Sequence, residues 1–185
     1  MPFQFKVIVF IVVSVGLAWL SRSCLRDLRS HGFYRFFAFE SILALILLNI
    51  DYWFHEPFAP HQIVSWLLLT VSLFLVIHGF HLLRRVGKPD SKRTDPLLID
   101  IEKTTALVTV GAYRYIRHPL YSSLLFVAWG VFFKQPSLAS VCLAVITTFC
   151  LTITAKMEEA ENVRFFGAAY RSYMKRTRMF IPFLF

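Results

Sequence analysis

The sequence predicts an all-α polytopic membrane protein of about five transmembrane helices, with a short helical hairpin near its C-terminus and a cytoplasmic helix after it. Three observations predict this. Of 185 residues 57% are hydrophobic and the mean hydropathy is +0.59, above the roughly 45–50% apolar content of soluble domains. The charged residues, 17% of the chain, gather between the apolar runs instead of being scattered through them. The sign of that charge also alternates from one gap to the next, as the excess of Lys and Arg on cytoplasmic loops requires. The length suits a single domain.

Residues 5–20 are the first apolar run. Arg22, Arg26 and Arg29 follow it and no small-residue cleavage site stands out, so it reads as a retained span and not as a signal peptide. Residues 36–50 make the second span and carry Glu40, a carboxylate that is costly inside a membrane. The third span is 63–83, completing an N-terminal part, 1–83. Residues 84–118 form a cytoplasmic loop and interface segment with turn signals at Gly87-Lys88-Pro89 and Asp95-Pro96. Its end, "TALVTVGAY", is short and β-branched, and is expected to be extended or to lie at the interface. Pro119 suits the first turn of a helix, where its missing N–H costs nothing, which puts His118 at the cap. Residues 119–155 form the hairpin. Its first arm, 119–133, falls short of the roughly 20 residues of a straight span, and it turns at Pro136 into 138–155. In the cytoplasmic C-terminal helix, 156–185, Glu158, Glu161 and Phe165 fall near one face, with Tyr170, Tyr173 and Met174 following at helical spacing. Gly167 interrupts it or permits close packing, and Pro182 is its expected end.

Orientation follows from the basic residues. Segment 21–35 holds Arg22, Arg26, Arg29 and Arg35 against Asp27 alone, while 51–61 holds Asp51 and Glu56 with no Lys or Arg. Segment 84–117 then holds eight basic residues and the tail after Ala155 six. The N-terminus is therefore expected outside and the C-terminus in the cytoplasm, in the inner membrane for a prokaryotic cell. The net charge of +9 is then attraction to anionic lipid; no basic, aromatic-interleaved soluble module remains to bind nucleic acid. Cys24, Cys142 and Cys150 do not suggest a disulfide framework. His78 and His81 are three apart but lack a third ligand, so no metal is expected.

Two polar clusters frame the hairpin. Arg117, His118 and Tyr121 open it; Glu158 and Glu159 close it. Because a hairpin returns to the side it left, these donors and carboxylates converge on one cytoplasmic pocket. Each cluster read alone is a snorkelling arginine or a solvated helix end; together they form a candidate site.

The stretch "LVTVGAYRYIRHPLY", followed by "EEAENVRFFGAAYRSYMKRTRMFIP", resembles the isoprenylcysteine carboxyl methyltransferase family and the wider phospholipid methyltransferases. The shared pattern is Arg-His-Pro-x-Tyr, a short hairpin, a Glu-Glu pair, Phe-Gly-x-x-Tyr-x-x-Tyr and a late Ile-Pro, covering about residues 105–182. Here Phe166-Gly167, Tyr170, Tyr173 and Ile181-Pro182 stand at the expected offsets. The resemblance implies an integral membrane methyltransferase using S-adenosylmethionine, with S-adenosylhomocysteine as product, on a lipidic or lipid-anchored acceptor. An isoprenylcysteine-like carboxylate is favoured, and a phospholipid amine or a thiol is the alternative. A more remote alternative is an NADPH-dependent membrane reductase like the sterol reductases, which resemble this hairpin but carry additional spans. The seven glycines form no G-x-G-x-x-G, so the cofactor must be held otherwise.

The residues that the resemblance points to are Gly111, Tyr113, Arg117, His118, Tyr121, Glu158, Glu159 and Tyr170. His118, Arg117 and the helix start would take the cofactor's carboxylate, Glu158 or Glu159 its ammonium, and Tyr113, Tyr121 and Tyr170 would wall its adenosine. Arg117 would orient a carboxylate nucleophile, and Glu158 would deprotonate an amine or thiol. Cofactor entry is expected past residues 93–113, and lateral entry of the acceptor beside Phe126, Trp129, Phe132 and Phe133. Three positions depart from the family. Gly111-Ala112 replaces a frequent Gly-Pro, Ser123 replaces a Gly, and Thr154 stands where eukaryotic members carry Arg, which bears on a prenylcysteine acceptor.

Overall fold

The structure is a computed structural model that describes residues 1–26, 30–87 and 105–184. The chain forms α1 (Phe3–Leu20), a one-turn α2 (Arg22–Leu25), α3 (His31–Asn49), α4 (Pro60–Arg85), α5 (Pro119–Phe132), α6 (Leu138–Phe166) and α7 (Ala168–Arg176). Short 3-10 turns follow α3 and precede α5, the latter at Gly111–Arg114. Among the described residues there is no strand, and one isolated parallel bridge joins Ile116 to Arg178.

Among the described residues four helices, α1, α3, α4 and α6, are long and apolar enough to cross a membrane. The fifth apolar run, α5, has 14 residues, about 21 Å at 1.5 Å per residue, against a hydrocarbon core of about 30 Å. Among the described residues the count of full spans is therefore four, with α5 as the short arm of the hairpin.

Helices α3 to α6 form an antiparallel bundle, and the pairings fix its two ends. At one end Asn49 donates to the Val131 carbonyl, Gln62 to the Lys134 carbonyl, and Ser140 to Asn49. At the other, Thr154 meets the His31 carbonyl, and His118 faces Glu159. Helix α4 packs closely on α5 because it does so through glycine: a Cβ at Gly79 would come 3.2 Å from Leu120, and one at Gly130 3.0 Å from Leu69. Small residues are what let helix backbones approach inside a membrane. Ala38, Leu45, Ala128, Val131, Ala144, Leu151 and Ala155 are fully buried between the helices, while the outward-facing side chains of α1, α4 and α6 are exposed and apolar, as lipid requires.

Helix α1 has no buried residue. Ser14 donates to Glu40 Oε2 at 2.6 Å, and Lys6 pairs with Asp51 at 2.7 Å. Glu40 thus joins α1 to α3, and its Oε1 has no partner among the described residues.

Sequence alone divided the chain at Ala155; the helix runs on to Phe166. The "KMEEAENVRFF" stretch contains no breaker, and its Lys, Met, Glu and Ala are strong helix formers, so α6 leaves the apolar zone without stopping. Gly167 stops it, at φ 60 and ψ −130, a region that only glycine adopts freely. Helix α7 then ends at Arg176, six residues before the expected Pro182, because the tail turns extended at Thr177 to pair with residues 115–118.

At the end opposite the polar clusters, Lys134 is wholly buried. Its Nζ donates to Gln62 Oε1 at 3.0 Å and lies 3.4 Å from the centre of the Trp66 ring. Lys134→Ala removes a desolvated cation–π contact of about 2 kcal/mol and strands the Gln62 oxygen. Its expected effect is a fall in Tm of at least about 5 °C, since 1 kcal/mol shifts a domain of this size by roughly 2–4 °C. Thermal unfolding in detergent checks this.

Candidate functional site

The site is assembled by three backbone segments. Residues 115–118 lie against the tail: Arg117 N–H donates to the Arg178 carbonyl at 2.8 Å, His118 N–H to Met179 at 3.2 Å, and Arg178 N–H to Tyr115 at 3.0 Å. Ser122 clamps the same junction, its hydroxyl placed 2.9 Å from the His118 carbonyl and 2.8 Å from that of Phe180. The third segment is the end of α6, where Glu158, Asn162 and Phe166 recur every four residues and so share one face.

After the break at Gly167, α7 folds back and brings Tyr170 and Tyr173 against that face. Tyr173 OH donates to the Tyr113 carbonyl at 2.6 Å, which ties α7 to the 3-10 turn. Burial first, and for Tyr170 the nearby Glu158 and Glu159 carboxylates second, push both phenols well above their ordinary range. They stay protonated.

These elements enclose a cleft that opens at the end of the bundle. Tyr113, Arg117, His118, Tyr121, Glu158 and Tyr170, all expected from the sequence, line it together. Its apolar wall is Leu83, Leu107, Val108, Leu120 and Phe166. Asn162 and Tyr173 also line it; Asn162, unnoticed in the sequence, stands one helical turn beyond Glu158 and hydrogen-bonds Tyr170.

The His118 ring is buried and stacked on Tyr121 at 5.5 Å, with Nε2 3.3 Å from Glu159 Oε1 and Nδ1 3.8 Å from Glu158 Oε2. The two glutamates therefore differ. Glu158 faces the cleft. Glu159 lies behind it, held by Arg117 Nε at 2.5 Å, and is absent from the lining. Arg117 Nη1 donates to the carbonyls of Met174 and Thr177, so two of its three nitrogens fasten Glu159 and the end of α7.

Gly111 also lies outside the lining. Its φ is +59, and a Cβ there would meet His78 Nε2 at 2.5 Å and Leu82 Cδ1 at 2.6 Å. The structure gives it the role of turning the chain tightly against α4. Of the aromatic residues expected beside a lateral opening, Trp129 is partly buried against the core and donates to Thr148 of α6 at 3.2 Å. The open apolar groove lies elsewhere, between α4, the 3-10 turn and the tail, lined by Phe74, Leu75, His78, Ala112, Ile116 and Pro182. The expected cofactor entrance past residues 93–113 falls largely outside the described residues, as do the turns at Lys88-Pro89 and Asp95-Pro96.

The family model described as phospholipid methyltransferase matches residues 61–169, which hold α4, α5, α6 and most of the lining. The methanethiol S-methyltransferase of Crocosphaera subtropica is 34% identical over 127 residues, covering 65% of this chain and 44% of that protein. A methanethiol S-methyltransferase of Pseudomonas deceptionensis is 27% identical over 145 residues, covering 78% of this chain and 48% of its own. Protein-S-isoprenylcysteine O-methyltransferase B of Arabidopsis thaliana is 29% identical over 146 residues, covering 77% and 73%. The chain spans about half the length of the methanethiol S-methyltransferases it matches. No solved structure matches it significantly.

Proposed function

The chain belongs to the phospholipid methyltransferase family, and from that we propose that it is an integral membrane enzyme moving a methyl group from S-adenosylmethionine to an acceptor lodged in the bilayer. The observation that carries the reading is the cleft, in which an acid, an imidazole and an aromatic wall meet at the end of the bundle. The donor set fits the methyl donor: Glu158 suits an ammonium, His118 a carboxylate, and Tyr113, Tyr121, Phe166 and Tyr170 an adenosine. When bound, the sulfonium supplies an activated methyl carbon. The protein's own task is alignment and exclusion of water. His118 is steadied for this by Tyr121 and Glu159, and the tail holds residues 115–118 in register.

The favoured acceptor is a lipid-borne carboxylate, as in the isoprenylcysteine O-methyltransferases; a carboxylate nucleophile needs no base. Arg117 would orient it through Nη2, the nitrogen not committed to Glu159 or to α7. That commitment supports a second reading, a thiol acceptor as in the methanethiol S-methyltransferases, which would give its proton to Glu158. The acceptor would approach along the apolar groove of α4, which borders the 3-10 turn that carries Tyr113.

Calorimetric titration of the detergent-purified chain with S-adenosylhomocysteine and NADPH tests the reading. Binding of the former alone is expected; binding of NADPH instead, or of neither, overturns it. Methyl transfer to farnesylcysteine against a simple thiol then chooses the acceptor.

The cleft end of the bundle is proposed to face the cytoplasm. Residues 51–60 lie at the opposite end, near Lys6. Single cysteines at Pro60→Cys and Ser91→Cys, in a background without the native cysteines, are expected to label from opposite sides. Labelling of both from one side would refute the orientation.

A further inference from the structure

We propose that the groove beside the cleft mouth, between the 3-10 turn and the tail, holds the phosphate of an anionic phospholipid and docks this end of the bundle on the headgroup layer. It is made of two adjoining hollows that share Tyr115, Arg176, Thr177 and Phe183: Arg114 and Arg176 line the first, and Lys175, Arg176 and Arg178 the second. All four cations are exposed. Among the described residues none has a carboxylate partner, and residues 162–185 contain no Asp or Glu at all. Tyr173 lines both groove and cleft.

Depth and shape argue for a lipid. The groove sits at the end of the bundle where α6 and α4 leave their apolar stretches, at the level where headgroups lie. Around it stand apolar tips: Tyr115 is 50% exposed, Phe183 83% and Leu184 80%. Phe183 holds φ +68, a left-handed conformation rare for a bulky residue, at the point where the tail turns it outward. Free phosphate would leave these tips in water; a phospholipid covers them with its acyl chains while the guanidiniums meet its phosphate. Basic residues next to a membrane surface are drawn to anionic lipid in this way. The occupant is a docking lipid, and the proposal stands whether or not the cleft transfers methyl groups.

The test uses the detergent-purified full chain and a fluorescent short-chain phosphatidylglycerol, with phosphatidylcholine of the same chains as comparison. Binding of the former is expected to be at least tenfold tighter. Each charge removed is expected to weaken it roughly fivefold, so the Arg114→Gln, Arg176→Gln, Arg178→Gln triple loses about a hundredfold. The single replacements carry the same test at fivefold each if the triple does not fold, which thermal unfolding in detergent reports. The control is Arg84→Gln with Arg85→Gln at the end of α4, expected to change affinity less than about threefold. Equal loss in the control would mean diffuse charge and no site. Displacement by inorganic phosphate would mean a free-phosphate site, and an unchanged triple would mean no site; each outcome overturns the proposal.

Discussion

Replacing Glu158 or His118 with alanine is expected to weaken S-adenosylmethionine binding ten- to a hundredfold. Each is a polar group at the floor of the cleft, His118 buried and Glu158 with only 16% of its side chain exposed. Removing either leaves one end of a zwitterionic ligand without its charged partner in a partly desolvated site. A hydrogen bond to a charged group is worth about 1.5–3 kcal/mol, and each 1.4 kcal/mol is about a factor of ten. Glu158→Gln keeps the shape and loses the charge, so it should resemble the alanine variant and not the wild type. The control is built into the same helix. Glu161 stands one turn on but pairs with His31 at 3.1 Å and does not line the cleft, so Glu161→Ala should change affinity little. Wild-type affinity in both Glu158→Ala and His118→Ala would sink the assignment of the cleft.

That contrast also shows how far the sequence could be read. The hairpin and its two polar clusters were legible because charge, proline and hydropathy each mark a boundary between solvents, and chain return brings the boundaries together. Which of two adjacent glutamates meets the cleft was not legible. Neighbours on a helix point about 100° apart, and the phase of α6 is set by packing against α3 and α5. The same phase problem holds for Trp129, which is partly buried: in an apolar helix the hydrophobic pattern is nearly uniform, so an aromatic residue turned to lipid and one turned inward read alike. The end of α6 was misjudged for a different reason. Hydropathy reports where the solvent changes, whereas a helix stops where its backbone does, and that is at Gly167.

Gly111 stood out in the sequence by its place in the motif. Its positive φ and its closeness to His78 belong to the folded chain, and they turn an expected ligand contact into a turn requirement. The role of the tail was the least visible. Its pairing with residues 115–118 is made by backbone groups some sixty residues apart in sequence, and no side-chain pattern announces such a bridge. Yet this pairing is what gives Arg117 its second task, and it makes the arginine more than a surface cation that snorkels.

The interaction most exposed to single substitution is therefore Glu159 with Arg117. Their side chains are 9% and 10% exposed, and one Glu159 oxygen meets both Arg117 Nε and His118 Nε2. Glu159→Ala strands two buried nitrogen donors at once, and removal of one partner from a buried ion pair typically costs about 3–5 kcal/mol. With roughly 2–4 °C per kcal/mol for a domain of this size, Tm should fall by about 10 °C, measured by thermal unfolding in detergent. Arg117→Ala should be comparably damaging, because it frees Glu159 and also the carbonyls of Met174 and Thr177 that Nη1 holds. The double variant Arg117→Ala, Glu159→Ala should lose clearly less than the two single losses together, since once one partner is gone the other has no charge left to strand. Additive losses would mean that the two residues act separately, Arg117 as a cap on α7 and Glu159 as an orienter of His118. In that case the pair would not be the joint that binds hairpin, α6 and tail into one site.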